Sequence, residues 1–499
     1  MIKTQLYIDG QWQSPIEAAV RDIVNPADEA VIAQAAEGTR ADARRAIAAA
    51  RAAFDGPWRR TTIRERARIL NKIADLVDRD AAELARLESL NTGKTITESR
   101  TDMGDIAATF RYFAGLVASE SGAVNEAPHH VISRTLREPV GVCGLITPWN
   151  YPLLQAAWKI APALGAGNTM IVKPSNLTPL TTWHFTKLIE ELDLPPGVFN
   201  LVTGGAEVGA ELAESRDVDL VSFTGGAIAG ESIMKAATGN FKRIGLELGG
   251  KNPNIVFADA DLDAAVDYAL NAAFFHAGQV CSAGSRLMIE SGIYDEFVAR
   301  LAARLPRIVI GNGFHAETQM GPVQSAQQHE KILGMVQAGI AEGARLVHGG
   351  KRPAGDAYAR GFWLEPTLLA DVRADMRIAK EEIFGPVITA ERFDSEEQAL
   401  RAANDTPYGL AAAVWTRDLD KANRMSRQLR FGTVWVNDYH PYFPEAPWGG
   451  YKASGIGREL ARVGLDEYTE LKHSYINLAR RRWAGSAHKT HNGGDHGRN

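Results

Sequence analysis

From Thr39 to about Val117, apolar residues return every three or four positions with charges of both signs between them. The stretches "RADARRAIAAARAAF" and "RERARILNKIADLVDRDAAELARLESL" carry this pattern, which predicts long amphipathic helices. The texture changes at "HHVISRTLREPVGVCGLI", whose β-branched residues read as strands. From Thr169 to Phe257 strand and helix alternate. "TMIVKPSN", "GVFNLVTGG" and "VDLVSFTGG" read as apolar strands running into turns. "LTTWHFTKLIEEL", "AEVGAELAES" and "AGESIMKAAT" read as the helices between them, the first stopping before Pro195 and Pro196. Such alternation calls for an α/β fold with a parallel sheet covered on both faces and a ligand crevice at the strand C-ends. A second run of alternating elements after Asp261 predicts a second α/β domain.

Length agrees, because 499 residues are too many for one core. Composition is that of a soluble globular protein, and a formal charge of -5 gives no reason to expect nucleic acid or an anionic membrane as partner. Only two cysteines are present, Cys143 and Cys281, so no disulfide framework exists and a reducing, cytoplasmic setting is expected. The start, "MIKTQLYIDGQWQ", does not read as a signal peptide. The most apolar stretch is "GVCGLITPWNYPLLQAAWKIAPALGAGNTMIV". Pro148, Pro152 and Pro162 break it, and it carries Asn150, Lys159 and Asn168. It therefore reads as buried strands and a helix, not a membrane span. The tail from Arg480 is polar and glycine-rich and is expected to be disordered; His488, His491 and His496 in it are no more than loose metal ligands, and no metal site is expected.

Four short segments carry candidate chemistry. "HAGQVCSAGSR" sets Cys281 among small, flexible residues, which suits a nucleophile, although most lone cysteines are inert filler. "SFTGGAIAG" puts Gly225, Gly226 and Gly230 where a strand meets a helix N-terminus; a pyrophosphate fits there, and a packing turn explains it equally well. "ELGGKNPNIV" ends an apolar strand on Glu247, which is a base if desolvated and an ordinary acid if solvated. "PWNYP" holds Asn150 between prolines and aromatics, so its carboxamide is either an oxyanion donor or a turn former.

Together with "KPSN", "EEIFGPV" and "PWGGYKASGIGRE", and in this order, these segments resemble the aldehyde dehydrogenase superfamily from about residue 5 to 478. The resemblance implies a Rossmann-type NAD(P)-binding domain (1–117 and 138–248) and an α/β catalytic domain (249–448). It adds a small β oligomerisation arm (118–137 and 466–480), with the disordered tail at 481–499. It implies aldehyde oxidation to the acid through a thiohemiacetal and thioester on Cys281. Asn150 would hold the oxyanion, Glu247 would activate the hydrolytic water, and Lys159 with Glu459 would relay protons. NAD is the implied cofactor, contacted by Ile146, Trp149, Lys173, Ser175, Gly205, Gly209 and Phe223, and by Gly225, Gly226, Leu248, Glu382 and Phe384. Asn176 stands where relatives often carry a glutamate that rejects NADP, so NADP is expected to be accepted as well. Potassium is a further candidate, with Asn91 replacing an acid often found at that site.

Within the superfamily, aromatics at Tyr151, Trp158, Phe275 and Trp448 match a box that holds cationic heads in relatives oxidising betaine aldehyde and ω-aminoaldehydes, through cation–π attraction. Asp102 and Asp105 match acids near the mouth of that tunnel. The implied reaction is betaine aldehyde to glycine betaine. The alternatives are an ω-aminoaldehyde, a general aliphatic aldehyde in a merely hydrophobic pocket, an acylating enzyme using coenzyme A, and a non-catalytic structural homologue. The implied assembly is a homodimer or homotetramer.

Overall fold

The computed structural model describes residues 1–479; the expectations for 480–499, including the three tail histidines, lie outside the described residues. The helical stretch is three helices, Arg40–Asp55, Ile63–Thr92 and Ile96–Ala118. Each begins with a threonine and an acid three positions on, Thr39/Asp42, Thr62/Glu65 and Thr95/Glu98, forming capping boxes that satisfy free backbone N–H groups. The second stops at Gly93, whose φ of 84° is a left-handed conformation open to glycine. Leu70, Ile73 and Val77 from it share one core with Ile106, Phe110 and Phe113, and with the helix Pro152–Ala166.

That core lies against an eight-stranded sheet. Its five central strands, Arg243–Glu247, Leu220–Thr224, Val142–Ile146, Thr169–Lys173 and Phe199–Leu201, are parallel and adjacent in this order. Antiparallel strands finish both edges: Gly455–Ile456 pairs with Leu246 and Glu247, and the hairpin Leu6–Ile8/Gln11–Gln13 pairs at Leu201. The chain order reverses beside Val142–Ile146, and this is where a crevice opens at the carboxyl ends of a doubly wound sheet.

A seven-stranded sheet follows, in the order Arg345–His348, Thr367–Ala370, Val387–Phe393, Arg286–Glu290, Pro253–Val256, Ala411–Trp415 and Thr433–Val436, parallel except at its first strand. Only residues 248–252 separate Glu247, the last residue of the parallel strands of one sheet, from the strand Pro253–Val256 of the other. The arm is a third sheet, Ala123–Asn125, Val131–Pro139 and Thr469–Asn477, with Val124, Leu136, Leu471, Tyr475 and Ile476 exposed on it. A short sheet of Ile2–Lys3, Val31–Ala36 and Val20–Val24 completes the fold. Among the described residues no helix is long and apolar enough to cross a membrane.

Candidate active site

Two cavities meet at Cys281. One, of about 430 Å³, lies along the carboxyl ends of the parallel strands, where Ile146, Lys173, Thr224 and Glu247 end their strands or begin the turns beyond. The other, of about 260 Å³, is walled by aromatic side chains. Cys281, Tyr151 and Gln155 line both.

The loop bearing Cys281 is held by amides. Asn252, fully buried, donates through Nδ2 to the carbonyls of Cys281 (2.8 Å) and Ala283 (3.1 Å), while its Oδ1 accepts from the Ala411 N–H. Tyr439 Oη donates to the Ser282 carbonyl at 2.8 Å. Asn150, 5% exposed, donates one N–H to the Gln279 carbonyl at 2.8 Å, and no second protein acceptor for its Nδ2 occurs among the described residues. His276 and Ala277 sit at φ 48° and 51°, a strained backbone for residues with side chains. The Glu98 carboxylate, which also closes its own helix cap, accepts the His276 N–H at 2.7 Å and holds that strain in place.

Electrostatics here favour neutral forms. Burial, then the nearby Glu247 and Glu382 carboxylates, push the Cys281 thiol up to about 12. Burial, and then Glu459, push Glu247 well above the usual carboxylate range against the pull of Lys159. Lys159 is fully buried, paired with Glu459 Oε1 and donating to Thr224 Oγ1 at 2.7 Å; Thr224 in turn donates to Gln155 Oε1 at 3.0 Å. Burial raises Glu382 to about 7, although its Oε1 accepts the Gly250 N–H, and lowers Lys173 to about 8. A buried thiol beside a buried acid that each prefer a proton is suited to passing one between them.

Every cofactor residue expected from the sequence lines the larger cavity except Gly209. That glycine lies in the helix Ala206–Glu214, where a Cβ would meet Ile146 and Lys173 at 3.7 Å, so it packs behind the wall. Gly230 is likewise a packing residue: a Cβ on it would meet Leu248 at 2.8 Å. Gly226 caps the helix Ala227–Ala237, and a Cβ there would meet nothing within 4 Å, which leaves an open cradle for a phosphate at a helix N-terminus. Trp149 and Phe384 meet edge to face, 5.2 Å between centroids, on the same cavity. Asn176 and Ser175 also line it.

The expected box residues Tyr151, Trp158, Phe275 and Trp448 all line the aromatic cavity, with Trp158 and Trp448 at 6.0 Å. Asp102 and Asp105, matched to acids near the tunnel mouth, line the same cavity; Asp102 is 3% exposed and receives Lys94 Nζ at 2.7 Å, and burial lifts it to about 7 against that ammonium. Lys94 also stands 3.9 Å from the Tyr151 ring centroid, so one face of that ring already carries a cation. Asp105 is half-buried and accepts from Tyr442 Oη at 2.5 Å. Tyr442, 5.2 Å from Trp158, is a fifth aromatic wall that sequence reasoning missed. Gln155 was missed too, although its place four after Tyr151 and three before Trp158 on one helix face gave the signal. Asn91, buried, donates to the Leu177 carbonyl and accepts from Leu180 N–H. Its amide is thus engaged with the backbone of Leu177 and Leu180, where an acid would have offered a carboxylate.

Fold and site define an α/β protein with a thiol set between a nucleotide-sized cleft and an aromatic pocket. The chain belongs to the aldehyde dehydrogenase family, which residues 12–474 match. It is 58% identical over 475 residues to the betaine aldehyde dehydrogenase of Bacillus subtilis, covering 95% of this chain and 97% of that one. It is 47% identical to human mitochondrial aldehyde dehydrogenase, over 94% of this chain and 91% of that one. The crystal structure of Staphylococcus aureus betaine aldehyde dehydrogenase in complex with NAD+ superposes with a TM-score of 0.96 at 49% identity, covering 97% of each chain.

Lys251, in the link between the sheets, is fully buried with no hydrogen-bond partner for Nζ among the described residues, and burial lowers it to about 7. Its folded value lies below the ordinary 10.5, so the buried ammonium costs stability in full below pH 7, and the cost fades as pH rises toward 10.5. Lys251→Met is expected to stabilise the fold most at neutral pH, the gain shrinking by about 1.4 kcal/mol per pH unit above it. Thermal unfolding across that range measures this, and a gain independent of pH overturns it.

Proposed function

We propose that this protein oxidises a cationic aldehyde, betaine aldehyde, to its acid, glycine betaine, with NAD as oxidant. The observation that carries the reading is the placement of Cys281 where the aromatic cavity meets the cleft with the Gly226 cradle. The Bacillus subtilis and Staphylococcus aureus relatives support the substrate and, for the second, the cofactor.

In this reading NAD lies along the strand ends, with Lys173, Ser175 and Asn176 at the adenosine ribose, Gly225, Gly226 and Trp149 about the pyrophosphate, and Glu382 with Phe384 toward the nicotinamide. Bound there, it accepts the hydride from the aldehyde carbon. The remaining steps belong to side chains. Glu247 takes the Cys281 proton, and the thiolate attacks the carbonyl carbon to give a thiohemiacetal. Asn150 Nδ2 and the Cys281 N–H hold the oxyanion, which collapses to a thioester once hydride has left. Glu247 then takes one proton from the attacking water; as the C–S bond breaks, the second water proton passes from the nascent acid to the Cys281 thiolate, so the carboxylate leaves and the thiol is restored. Tyr151, Trp158, Phe275, Tyr442 and Trp448 present ring faces and edges to a quaternary ammonium while excluding water from it. Asp105 lies on that side and accepts from Tyr442 Oη.

We extend the proposal to a cytoplasmic homo-oligomer. The exposed Leu136, Leu471, Tyr475 and Ile476 on the three-stranded arm support assembly through that face. Light scattering is expected to give a multiple of 54.1 kDa, and a monomer at micromolar concentration would overturn it.

Cys281→Ala is expected to abolish oxidation of every aldehyde while NAD binding, followed by fluorescence quenching, survives. Glu247→Gln, which lacks the base for both the thiol and the water, should slow the first-turnover appearance of NADH as well as steady-state turnover, the latter about a hundred-fold. Parent-like turnover in that variant would remove Glu247 from its role.

Trp448→Ala should raise KM for betaine aldehyde about five- to thirty-fold, the loss of one ring worth roughly 1–2 kcal/mol, and change KM for an uncharged aldehyde of similar size far less. Equal losses on both substrates would leave a merely apolar pocket, and an aminoaldehyde with the lower KM would shift the substrate within the cationic class.

A further inference from the structure

Of the residues lining the nucleotide-sized cleft, Glu247 alone also lines a third, small cavity on the far edge of the same sheet. This cavity encloses about 20 Å³, room for one water molecule. Its walls include Ser222, Tyr468 and Arg458, and three carboxylates, Glu247, Glu459 and Glu467.

The three acids differ in their surroundings. Glu247 is 6% exposed and faces the reacting end. Glu459 has one oxygen on Lys159, while its Oε2 is buried with no hydrogen-bond partner among the described residues. Glu467 is half-buried, with Oε1 accepting the Arg458 N–H at 3.3 Å, and is the carboxylate of the set that reaches solvent. Glycines make the space. A Cβ at Gly449 would come within 2.6 Å of Glu247 Oε1, and one at Gly457 within 3.2 Å of Glu467 Oε1. The charged neighbours are Lys159 on the inner side, with Arg458, Arg243 and Asp466 around Glu467. Arg243 is spent on other partners, donating to the carbonyls of Glu467 and Thr469 and to Glu470 Oε2.

Aldehyde oxidation to a carboxylate releases two protons per turnover, one from the thiol and one from water, and in the reading above both pass through Glu247. Burial makes that acid hold its proton, so a route outward is needed before the next cycle. We propose that Glu467 is the outer station of a proton path that runs from Glu247 through one water in the small cavity, with the free Glu459 Oε2 orienting that water. The Glu247 O–H bond breaks, its proton passes to the water, and a proton of that water passes to the Glu467 carboxylate and on to solvent. No electron moves, and Glu467 acts through Glu247 without touching substrate or NAD.

The proposal rests on Glu247 as the base, and the test separates the two. Glu467→Gln keeps an acceptor for the Arg458 N–H and removes the titrating group; Glu467→Asp keeps the group on a shorter stem. In the full-length enzyme with betaine aldehyde and NAD, Glu467→Gln is expected to retain the first-turnover burst of NADH. Its steady-state rate in dilute buffer should fall about three- to ten-fold. Added imidazole should restore that rate, and Glu467→Asp should retain most of it; the parent should respond to neither buffer nor imidazole. Parent-like turnover of Glu467→Gln in dilute buffer, or a fall that imidazole leaves untouched, overturns the proton path. A Glu247→Gln variant whose first turnover and steady-state rate match the parent's overturns the base itself, whatever Glu467→Gln does.

Discussion

Residues 275–285 form no regular structure beyond one tight turn, and two of them without glycine's freedom hold left-handed backbone, yet they must fix a sulfur to within a fraction of an ångström. Left-handed strain of about 1–3 kcal/mol per residue persists only where surroundings over-determine it. Here the hydrogen bonds come from four separate directions: Asn150 beyond the first sheet, Asn252 between the sheets, Tyr439 beyond the second sheet, and Glu98 from the helical layer. Each partner is buried, so losing one would strand a polar group as well as a bond. The two sheets and the helical layer are thereby locked to one short loop, and the cavities on either side of Cys281 take their shape from it.

A second constraint is charge. Lys159 faces Glu459 with Glu247 close by, and Lys94 faces Asp102 and Glu88 with Glu98 close by, so in both places buried acids outnumber the ammonium. Ionising all of them in a low-dielectric interior is costly, so protons are retained and pKa values rise. Near Glu247 this suits a group that must collect a proton and give it up. Near Tyr151 the same cluster sets the Lys94 ammonium 3.9 Å from the ring centroid, with Asp102 and Glu88 paired to it behind the aromatic wall. The polar interior and the aromatic pocket are thus two sides of one arrangement, in which the walls are apolar and the charge lies one layer deeper.

Much of this was legible along the chain. Helix starts showed in Thr39, Thr62 and Thr95, because a cap is a contact between residues three apart. Strands running into Gly225 and Glu247 showed in apolar runs followed by glycine, and Cys281, Glu247 and Asn150 stood out because each lies in a short segment of unusual local chemistry. What only the tertiary structure decided involves partners far apart in sequence. Gly455–Ile456 closes the edge of a sheet whose parallel strands ended some two hundred residues earlier, through backbone bonds that leave no mark on side-chain pattern. Gly230 reads as a phosphate glycine until Leu248 is packed on it. Tyr442 becomes a wall of the aromatic cavity only when its loop crosses the helix carrying Trp158. Local order follows from short-range sterics and hydrogen bonding, which the sequence encodes directly. Whether a carboxylate is paired, a ring face covered or a cavity closed depends on desolvation by atoms that arrive from elsewhere in the chain.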